Sequence, residues 1–330
     1  MATTYGDINQ RTAAWAATEM LRHAEPVTVL SKFGLPKPIP KNKAQAVKFR
    51  RVVPFGPADT PLVEGVTPSA QKMAYEDVPV TLKQYGKPIE ITDVVEDLAE
   101  DPVLQDASMA AGEQAGLTIE MVTYGVLKAG TNVFYANGAS RSAVNTAISL
   151  NKQRAVTRAL KRQKATRVTA MLSGSPNFQT IPIEASYIAV AHTDLESDIR
   201  NTVGFIPVAK YGTKQPVCAE EIGVIEDVRY VLSPELAPWA DAGGAAGSSM
   251  LSTSGTNADV YPVLIFGKDA YGTCPLKGAG AITPIVLNPG KADKSDPLGQ
   301  RGYVSWKTYF AAVILNQSWM ARLEVAVTAL

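Results

Sequence analysis

Near the carboxyl end of the chain, apolar and polar residues alternate with the period of a β-strand. One set of alternate positions carries Trp319, Ala321, Leu323, Val325 and Val327, and the other carries Met320, Arg322, Glu324 and Ala326. A period of two is typical of a strand with one buried face. The stretch just before it, YVSWKTYFAAVIL, is also rich in β-branched and aromatic residues. We therefore predict that the chain ends in a pair of neighbouring strands, a terminal hairpin.

A helical repeat occupies residues 102–129. Asp101 and Pro102 form a typical helix start, and Gly130 is suited to end the helix. The apolar residues that recur at steps of three or four, or their sums, are Val103, Ala107, Ala110, Leu117, Met121 and Tyr124. They predict one apolar face along a helix of about 40 Å, at ~1.5 Å per residue. A helix of this length is typical of a structural spine.

Two strand-like flanks around a proline-rich middle predict a long hairpin over residues 46–92. The flanks are 47–53 and 78–91, and the middle carries Pro54, Pro57, Pro61, Pro68, Gly56 and Gly65. The flanks are rich in positive charge, from Lys48, Arg50, Arg51, Lys83 and Lys87. A ribbon this polar is unsuited to a central core, so we predict that it projects from the body and has an irregular tip.

Residues 1–45 are interpreted as an extended N-terminal arm. An alanine-rich stretch, 12–24, can form a short helix, and the LPKPIPKNK segment after it carries three prolines and three lysines that oppose regular structure. The alternative is an ordinary N-terminal helix that packs on its own domain.

The middle of the chain mixes helix and strand signals, which predicts an α+β domain. Residues 146–167 predict a basic helix whose charges face either solvent or phosphate, and the lack of interleaved aromatic residues favours solvent. Further on, YIAVAH predicts a strand, DLESDIRN a short helix, EIGVIEDVRYVL a strand or hairpin, and VYPVLIFG a strand. The glycine- and serine-rich segment 241–259 predicts a mobile loop.

Composition limits the classes of function. The chain has 330 residues, 46% of them hydrophobic, which is enough for one large or two ordinary domains. Lys and Arg number 32 against 31 Asp and Glu, so the formal net charge of +1 predicts neither a nucleic-acid nor a membrane partner. Cys218 and Cys274 stand in no paired motif, and we find no signal peptide or membrane span. These features favour a soluble protein made in a cytoplasm.

Catalytic motifs are absent from the sequence. The two histidines, His23 and His192, stand in no HExxH or similar spacing, and GxSxG, GxGxxG and GK[ST] motifs do not occur. Adjacent carboxylates, such as Glu220 and Glu221, are more typical of a solvated surface. We therefore predict no catalytic residue, no metal and no cofactor, so that the protein is not an enzyme.

Four stretches of the sequence resemble the major capsid protein family of tailed bacteriophages, in particular the coat proteins typified by large podophages. They are ATTYGD near the start, VEGVTPS in the hairpin, YGVLKAGTNVFYANG after the long helix, and DPLGQRGYVSWKTYFAAVILN near the end. The similarity covers nearly the whole chain. It implies the α+β capsid fold named after a Hong Kong bacteriophage.

The resemblance implies a domain for each segment. Residues 1–45 are expected to form the N-arm, 46–92 the extended loop, 93–145 and 285–330 a peripheral domain with the spine helix and terminal strands, and 146–284 most of an axial domain. The implied function is a structural virion protein that assembles through hexamers and pentamers into an icosahedral shell around double-stranded DNA. The implied partners are other copies of the chain, a separate scaffolding protein, a portal, a possible decoration protein, and DNA bound without sequence preference by the inner surface.

The resemblance also gives individual residues a role. The segment 296–310 joins turn residues to strand residues, and Gly299 and Gly302 can take backbone angles closed to other residues. Arg301 between them carries a rigid five-donor guanidinium. We predict a structural corner here that sets how the terminal sheet leaves the axial domain. The expected contacts between subunits are made by Arg50, Arg51, Glu64 and Lys83.

Two alternatives remain open at this point. An encapsulin-like compartment shares the fold but encloses enzyme cargo, whereas a soluble hydrolase of mixed α and β structure would need clustered carboxylates with shifted pKa values in a closed pocket. A phage decoration protein is disfavoured by the chain length and the long helix.

Overall fold

The computed structural model describes residues 28–40, 42, 44–62, 64–94, 103–172, 180–212, 215–276, 282–287, 297–298 and 300–330. The predicted N-terminal helix of 12–24, the helix start at Asp101 and Pro102, and the corner residue Gly299 lie outside the described residues.

The described residues form fifteen strands and three α-helices. The strands are β1 (Leu35–Pro36), β2 (Ala46–Val52), β3 (Tyr75–Thr81), β4 (Lys83–Thr92), β5 (Val133–Tyr135), β6 (Val168–Leu172), β7 (Thr180–His192), β8 (Phe205–Pro207), β9 (Glu221–Ile225), β10 (Val228–Ser233), β11 (Tyr261–Phe266), β12 (Tyr271–Pro275), β13 (Ile282–Leu287), β14 (Arg301–Ile314) and β15 (Met320–Val325). The helices are α1 (Val103–Lys128), α2 (Leu150–Arg162) and α3 (Glu196–Asn201). The predicted fold class, α+β, is confirmed.

The larger sheet has eight strands and is covered on both faces. Its order is β5-β15-β11-β7-β10-β9-β8, and β6 pairs with β7 outside this path. Alternate residues of β7 divide between two hydrophobic clusters, since Ala189 packs with Val156 of α2 and Ile188 packs with Leu127 of α1. The core of the molecule is therefore a sheet between two helical layers.

The predicted terminal hairpin is wrong. Strand β14 belongs to a second sheet, in which it pairs with β4, β12 and β13, whereas β15 lies inside the larger sheet between β5 and β11. Strand β15 also buries both faces, because α1 and α2 cover the sheet from opposite sides. The division into peripheral and axial domains stays a prediction, but β15 shares its sheet with strands of the 146–284 segment.

The long helix is confirmed, and its predicted apolar face is only partly buried: Val103 and Ala107 pack against a core cluster and Tyr124 is buried, whereas the other three residues face outward. Leu117 and Met121 are 36% and 40% exposed, and Ala110 is exposed as well. The helix buries a different side, on which Ala111 and Ala115 pack against Trp306 of β14. Small side chains on that side allow the strand to approach the helix closely.

The predicted hairpin divides into two parts at the buried residue Leu82. Strands β2 and β3 pair antiparallel over seven rungs, from Ala46 opposite Thr81 to Val52 opposite Tyr75, and form a two-stranded sheet of their own. Strand β4 instead pairs with β14 over ten residues. The projecting ribbon is therefore 46–81, and the rest of the predicted hairpin belongs to the body.

The segment 241–259 is held in place, so the predicted mobile loop is wrong. Asp259, which is fully buried, accepts hydrogen bonds from the backbone N–H groups of Asp241 at 2.8 Å and Thr253 at 3.0 Å. Asp241 in turn accepts one from the backbone of Asn257 at 2.8 Å. Two aspartate side chains thus satisfy the backbone of a glycine-rich loop, which composition alone does not indicate.

Candidate interaction surfaces

The corner residues lie at the start of β14. Arg301 is opposite Thr92 and Gly302 opposite Ile91 in the antiparallel pairing with β4. The Arg301 guanidinium is 3.9 Å from the Glu90 carboxylate, and both side chains are about half exposed. Gly302 is buried in the strand and is not among the glycines with positive φ. The expectation of a special backbone angle at Gly302 is therefore wrong.

Arg50 and Arg51 are used within the hairpin itself. Arg50 donates two hydrogen bonds to Asp77, at 2.7 and 3.0 Å, and Arg51 donates to Glu76 at 2.7 Å. Each pair lies directly across the two strands. The hydrogen bond from Arg50 holds the pKa of Asp77 below its usual value. These arginines align β2 with β3, and the prediction that they contact another subunit remains untested.

The hairpin tip, defined here as residues 53–74, exposes large apolar side chains. Leu62 is 78% and Val66 is 62% exposed, and Val53, Phe55 and Met73 are exposed as well. Glu64 lies between Leu62 and Val66 and is exposed, and it makes no ion pair with any residue that the structure describes. The described residues of a single chain therefore leave the tip uncovered.

The base of the hairpin is anchored to the body. Phe49 and Val80 pack with Ile39, Cys274 and Ala311 in one buried cluster. Lys83, at the start of β4, is exposed and lies opposite Phe310. A groove of about 660 Å³ is lined by Pro40, Asn42, Ala44, Gln45, Leu82, Gln84, Leu276 and Tyr309. The hairpin is thus fixed at one end and free at the other.

Glu120 joins the spine helix to the segment that enters from the N-terminus. Its carboxylate accepts the backbone N–H groups of Val29 at 3.1 Å and Leu30 at 2.9 Å, and the Tyr271 hydroxyl donates to the Leu30 carbonyl. Glu120 is fully buried. Burial raises its pKa from 4.5 to about 7, although the two backbone donors and Lys32 act in the opposite direction.

A group of three cations surrounds the indole of Trp239. The Arg141 guanidinium lies 3.5 Å, the Lys128 ammonium 4.1 Å and the Arg322 guanidinium 5.4 Å from the ring centroid. We call these four residues the Trp239 cluster. Distances of this order allow cation–π attraction. Arg322 also donates to the carbonyls of Lys128 and Gly130, which end α1.

One carboxylate, Glu324, accepts hydrogen bonds from two of the three cations in the Trp239 cluster. Arg141 donates to its two oxygens at 2.8 Å each, and Arg322 donates at 2.9 Å. Glu324 is fully buried. The pKa of Lys128 is lowered, first by burial and then by the charges of Arg141 and Arg322. The cluster is therefore short of negative charge.

The basic helix α2 is partly neutralised by the turn between β9 and β10. Arg154 pairs with Glu226, and Lys161 pairs with Asp227. Arg158 and Arg162 are exposed and have no ion pair among the described residues. Only part of the predicted basic surface is thus available to an anion.

A catalytic or metal site is not evident in the part of the chain that the structure describes. There, no three His, Cys, Asp or Glu side chains are placed together to hold a metal ion. His192 accepts a hydrogen bond from the backbone of Asp194 at 3.1 Å, which agrees with the structural role that the sequence favours. Among the described helices, none is long and apolar enough to span a membrane.

Sequence reasoning missed Glu120 and the Trp239 cluster. In both cases the sequence shows charged residues inside a stretch that is otherwise uncharged or apolar. Glu120 is a lone carboxylate in an otherwise uncharged stretch of the helix, 114–127, and Arg322 and Glu324 lie in an apolar strand at the end of the chain. Charges at such positions need buried partners, but the sequence does not name them.

Comparison with known proteins finds similarity to phage capsid proteins. Residues 75–323 match the family described as phage capsid protein. The major capsid protein of Pseudomonas phage KPP21 is 24% identical over 178 residues, which are 50% of this chain and 45% of that protein. The chain therefore matches less than half the length of this curated relative.

Solved structures show the same fold at low sequence identity. The capsid of Ralstonia phage GP4 matches with a TM-score of 0.66 and 12% identity over 92% of each chain. The cyanophage Pam1 capsid matches with a TM-score of 0.60 and 13% identity over 92% of each chain. The head of Helicobacter pylori bacteriophage KHP40 matches with a TM-score of 0.60 and 11% identity, over 91% of this chain and 89% of that one.

Proposed function

The chain belongs to the phage capsid protein family, and from this premise we propose that it is a major capsid protein whose copies assemble into an icosahedral shell around double-stranded DNA. The observation that carries the proposal beyond the family is the hairpin. Its base is anchored in a buried cluster, and its tip exposes large apolar side chains that the described part of its own chain leaves uncovered. A surface of this kind marks a contact between proteins.

The proposed mechanism is association, in which the chain makes and breaks no covalent bond. Each hairpin reaches onto a neighbouring copy around five-fold and six-fold axes, within pentamers and hexamers. The contact is heterologous, and rotation closes it into rings. Many modest contacts then add up to a stable shell, because each further contact within the assembly is effectively intramolecular.

Residue ranges follow from the same proposal. We assign 1–45 to the N-arm, 46–92 to the extended loop, of which 46–81 projects and β4 returns into the body sheet, 93–145 and 285–330 to the peripheral domain, and 146–284 to most of the axial domain. The anchoring of Val29 and Leu30 by Glu120 supports an arm that leaves the body beside α1. The separate strands β2 and β3 support the extended loop.

The proposed partners are a scaffolding protein, a portal, a decoration protein and packaged DNA. The proposed location is the virion capsid after synthesis in the bacterial cytoplasm. The exposed cations Arg158 and Arg162 support a contact with phosphate. Neither an encapsulin-like compartment nor a hydrolase is supported, since the relatives and structures described above are phage capsid proteins.

Electron microscopy of the purified chain, expressed with and without the neighbouring phage genes, tests the proposal. We expect closed icosahedral shells or rings of capsomers. A monodisperse monomer that never assembles, even with a scaffold present, would contradict the proposal. A variant in which Asn-Gly replaces the tip serves as the matched control, since it should keep the fold of the body and fail to form shells.

A further inference from the structure

The Trp239 cluster holds more positive charge than its neighbours neutralise. Arg141 and Arg322 share one acceptor atom, since Nη2 of Arg141 at 2.8 Å and Nε of Arg322 at 2.9 Å both donate to Oε1 of Glu324. Lys128 donates to a neutral group, a backbone carbonyl, at 3.0 Å. In the part of the chain that the structure describes, no second carboxylate pairs with these cations. Three cations and one carboxylate thus leave two positive charges in excess.

The same cluster has hydrogen-bond donors to spare. A guanidinium has five N–H donors and an ammonium has three. Arg141 donates through Nε and Nη2 to Glu324, and Arg322 donates through Nε to Glu324 and through Nη1 to the carbonyls that end α1. Nη1 of Arg141, Nη2 of Arg322 and the indole N–H of Trp239 have no acceptor among the described residues. An anion at the cluster could therefore accept hydrogen bonds from several side chains.

The donors are held in place and can be reached from solvent. The backbone of Trp239 exchanges two hydrogen bonds with Val260, at 2.9 and 3.0 Å, and the Arg141 guanidinium lies 3.5 Å from the ring centroid. Lys128, Arg141 and Trp239 are only half-buried. A ligand that binds to groups already fixed by other contacts pays little for ordering them.

The excess charge and the number of donors fit a tetrahedral oxyanion with two negative charges. Several oxygens that point in different directions can accept from donors on three side chains, and each such hydrogen bond is charge-assisted. A carboxylate brings one charge and two oxygens, and chloride is a single acceptor.

We propose that the Trp239 cluster is a binding site for free inorganic phosphate in its dianionic form. The bound ion would join the end of α1, where Lys128 lies, to Arg322 of β15 and to the loop that carries Trp239. This site belongs to the single subunit, so the proposal goes beyond shell assembly and does not rest on it.

Nuclear magnetic resonance of the ¹⁵N-labelled, unassembled subunit tests the site through its own indole. The chain has four tryptophans, so the indole N–H region is simple. Two of them are occupied elsewhere, Trp306 by the Gln114 side chain and Trp319 by the Gln163 carbonyl. Inorganic phosphate at mildly alkaline pH, compared with chloride at equal ionic strength, should shift the Trp239 signal to saturation, with half-saturation on the order of 1 mM. The signal is assigned with Trp239→Phe.

Lys128→Met is the variant that weakens the site without disturbing the fold. The Ala237 carbonyl, to which Lys128 donates, also accepts from the Tyr124 hydroxyl at 2.7 Å, so it keeps a partner, and circular dichroism checks the fold. Loss of one cation should raise the half-saturation concentration about tenfold. Lys307→Met, a change at an exposed lysine outside the cluster, should leave it unchanged.

Two results would overturn the proposal. The first is the lack of a saturable shift of the Trp239 signal below about 50 mM phosphate, or an equal shift in a folded Lys128→Met variant. The second is a shift produced by a double-stranded oligonucleotide at a lower phosphate-group concentration than by inorganic phosphate, which would assign the cluster to nucleic acid. If Lys128→Met does not fold, the titration of the unmodified chain still decides. Since the subunit is unassembled in every arm, none of these results depends on whether shells form.

Discussion

At the level of single residues, Glu120 connects the spine helix to the arm through the backbone alone. Its oxygens accept the N–H groups of Val29 and Leu30, so the contact does not depend on the side chains of those two residues. A buried carboxylate is costly in its charged form. Burial accordingly raises its pKa to about 7.

The raised pKa predicts a stability that depends on pH. Between pH 4.5 and 7 the folded protein holds a proton on Glu120 that the unfolded chain has released, so the free energy of unfolding should fall as pH rises through this window. The fall attributable to Glu120 should be at most about 3 kcal/mol. Below pH 4.5 this contribution is fully present.

Urea unfolding of the unassembled subunit between pH 4.5 and 8 measures the effect. Glu120→Gln should give a flatter profile over the same range, since the amide does not titrate. The test requires the difference between the two profiles, because other groups titrate in both proteins. Profiles that run parallel would show that Glu120 does not hold the proton.

Gly302 leads to a prediction about packing. Positions 302, 304 and 306 of β14 are buried, and Val304 and Trp306 pack against α1, so a side chain at position 302 would point to the same side. Gly302→Val should therefore destabilise the subunit by about 1–3 kcal/mol through overpacking and impair assembly. Thermal unfolding and electron microscopy measure the two effects.

Lys307→Val is the matched control for Gly302→Val. Lys307 lies in the same strand on the opposite face and is exposed, so the control should fold and assemble. Normal shells with an unchanged Tm from Gly302→Val would show that the corner tolerates a side chain.

At the level of elements, the hairpin keeps its shape through contacts between its own strands. A two-stranded ribbon is marginal in water by itself, and here Arg50 and Arg51 pair with Asp77 and Glu76 across the strands. The base packs in a cluster with Phe49 and Val80. The ribbon is thus held in one orientation while its tip stays available.

Helix α2 leads to a prediction about DNA. Arg158 and Arg162 are exposed without ion pairs among the described residues, so Arg158→Gln with Arg162→Gln should weaken DNA retention in filled shells, and DNA should be released at a lower salt concentration. Each phosphate contact that is lost should reduce the slope of log K against log salt by about 0.9. Release of DNA at increasing salt concentration, measured by nuclease digestion, gives the slope.

Arg154→Gln is the control for the DNA prediction. Its side chain already pairs with Glu226, so its removal should change DNA retention little. If the double variant and the control release DNA at the same salt concentration as the unmodified shell, α2 does not face the DNA.

At the level of the whole molecule, stability of the subunit and stability of the shell depend on different residues. The buried sheet between α1 and α2 holds the subunit together, whereas the tip contributes little to it because its side chains are in water. Phe55→Ser with Leu62→Ser should therefore leave the Tm of the subunit unchanged and reduce shell formation. Calorimetry of the subunit and sedimentation of the shells measure the two quantities.

One result would contradict the prediction that the tip stabilises the shell and not the subunit. A large fall in the Tm of the Phe55→Ser, Leu62→Ser variant would mean that the tip packs on its own subunit. Thr60→Ser, a small polar change in the same exposed segment, should alter neither quantity.

The sequence by itself determined the local pattern and the family. Periodicity predicted the long helix and most of the strands, because side-chain spacing within an element depends only on the geometry of that element. The resemblance of four motifs to tailed-phage capsid proteins predicted the fold class. The ribbon of β2 and β3 was predictable as well, from two polar flanks around prolines.

Only the tertiary structure decided which faces of the helices and strands pack against each other. Leu117 and Met121 were wrongly placed on the buried face of α1, because burial depends on what packs there, and β14 packs on the alanine side instead. Strands β14 and β15 follow each other in the chain and enter different sheets. Strand pairing depends on residues that are distant in sequence, and so does the partner of a buried charge, as in the contact of Glu120 with the backbone of Val29. A local sequence pattern does not identify such partners.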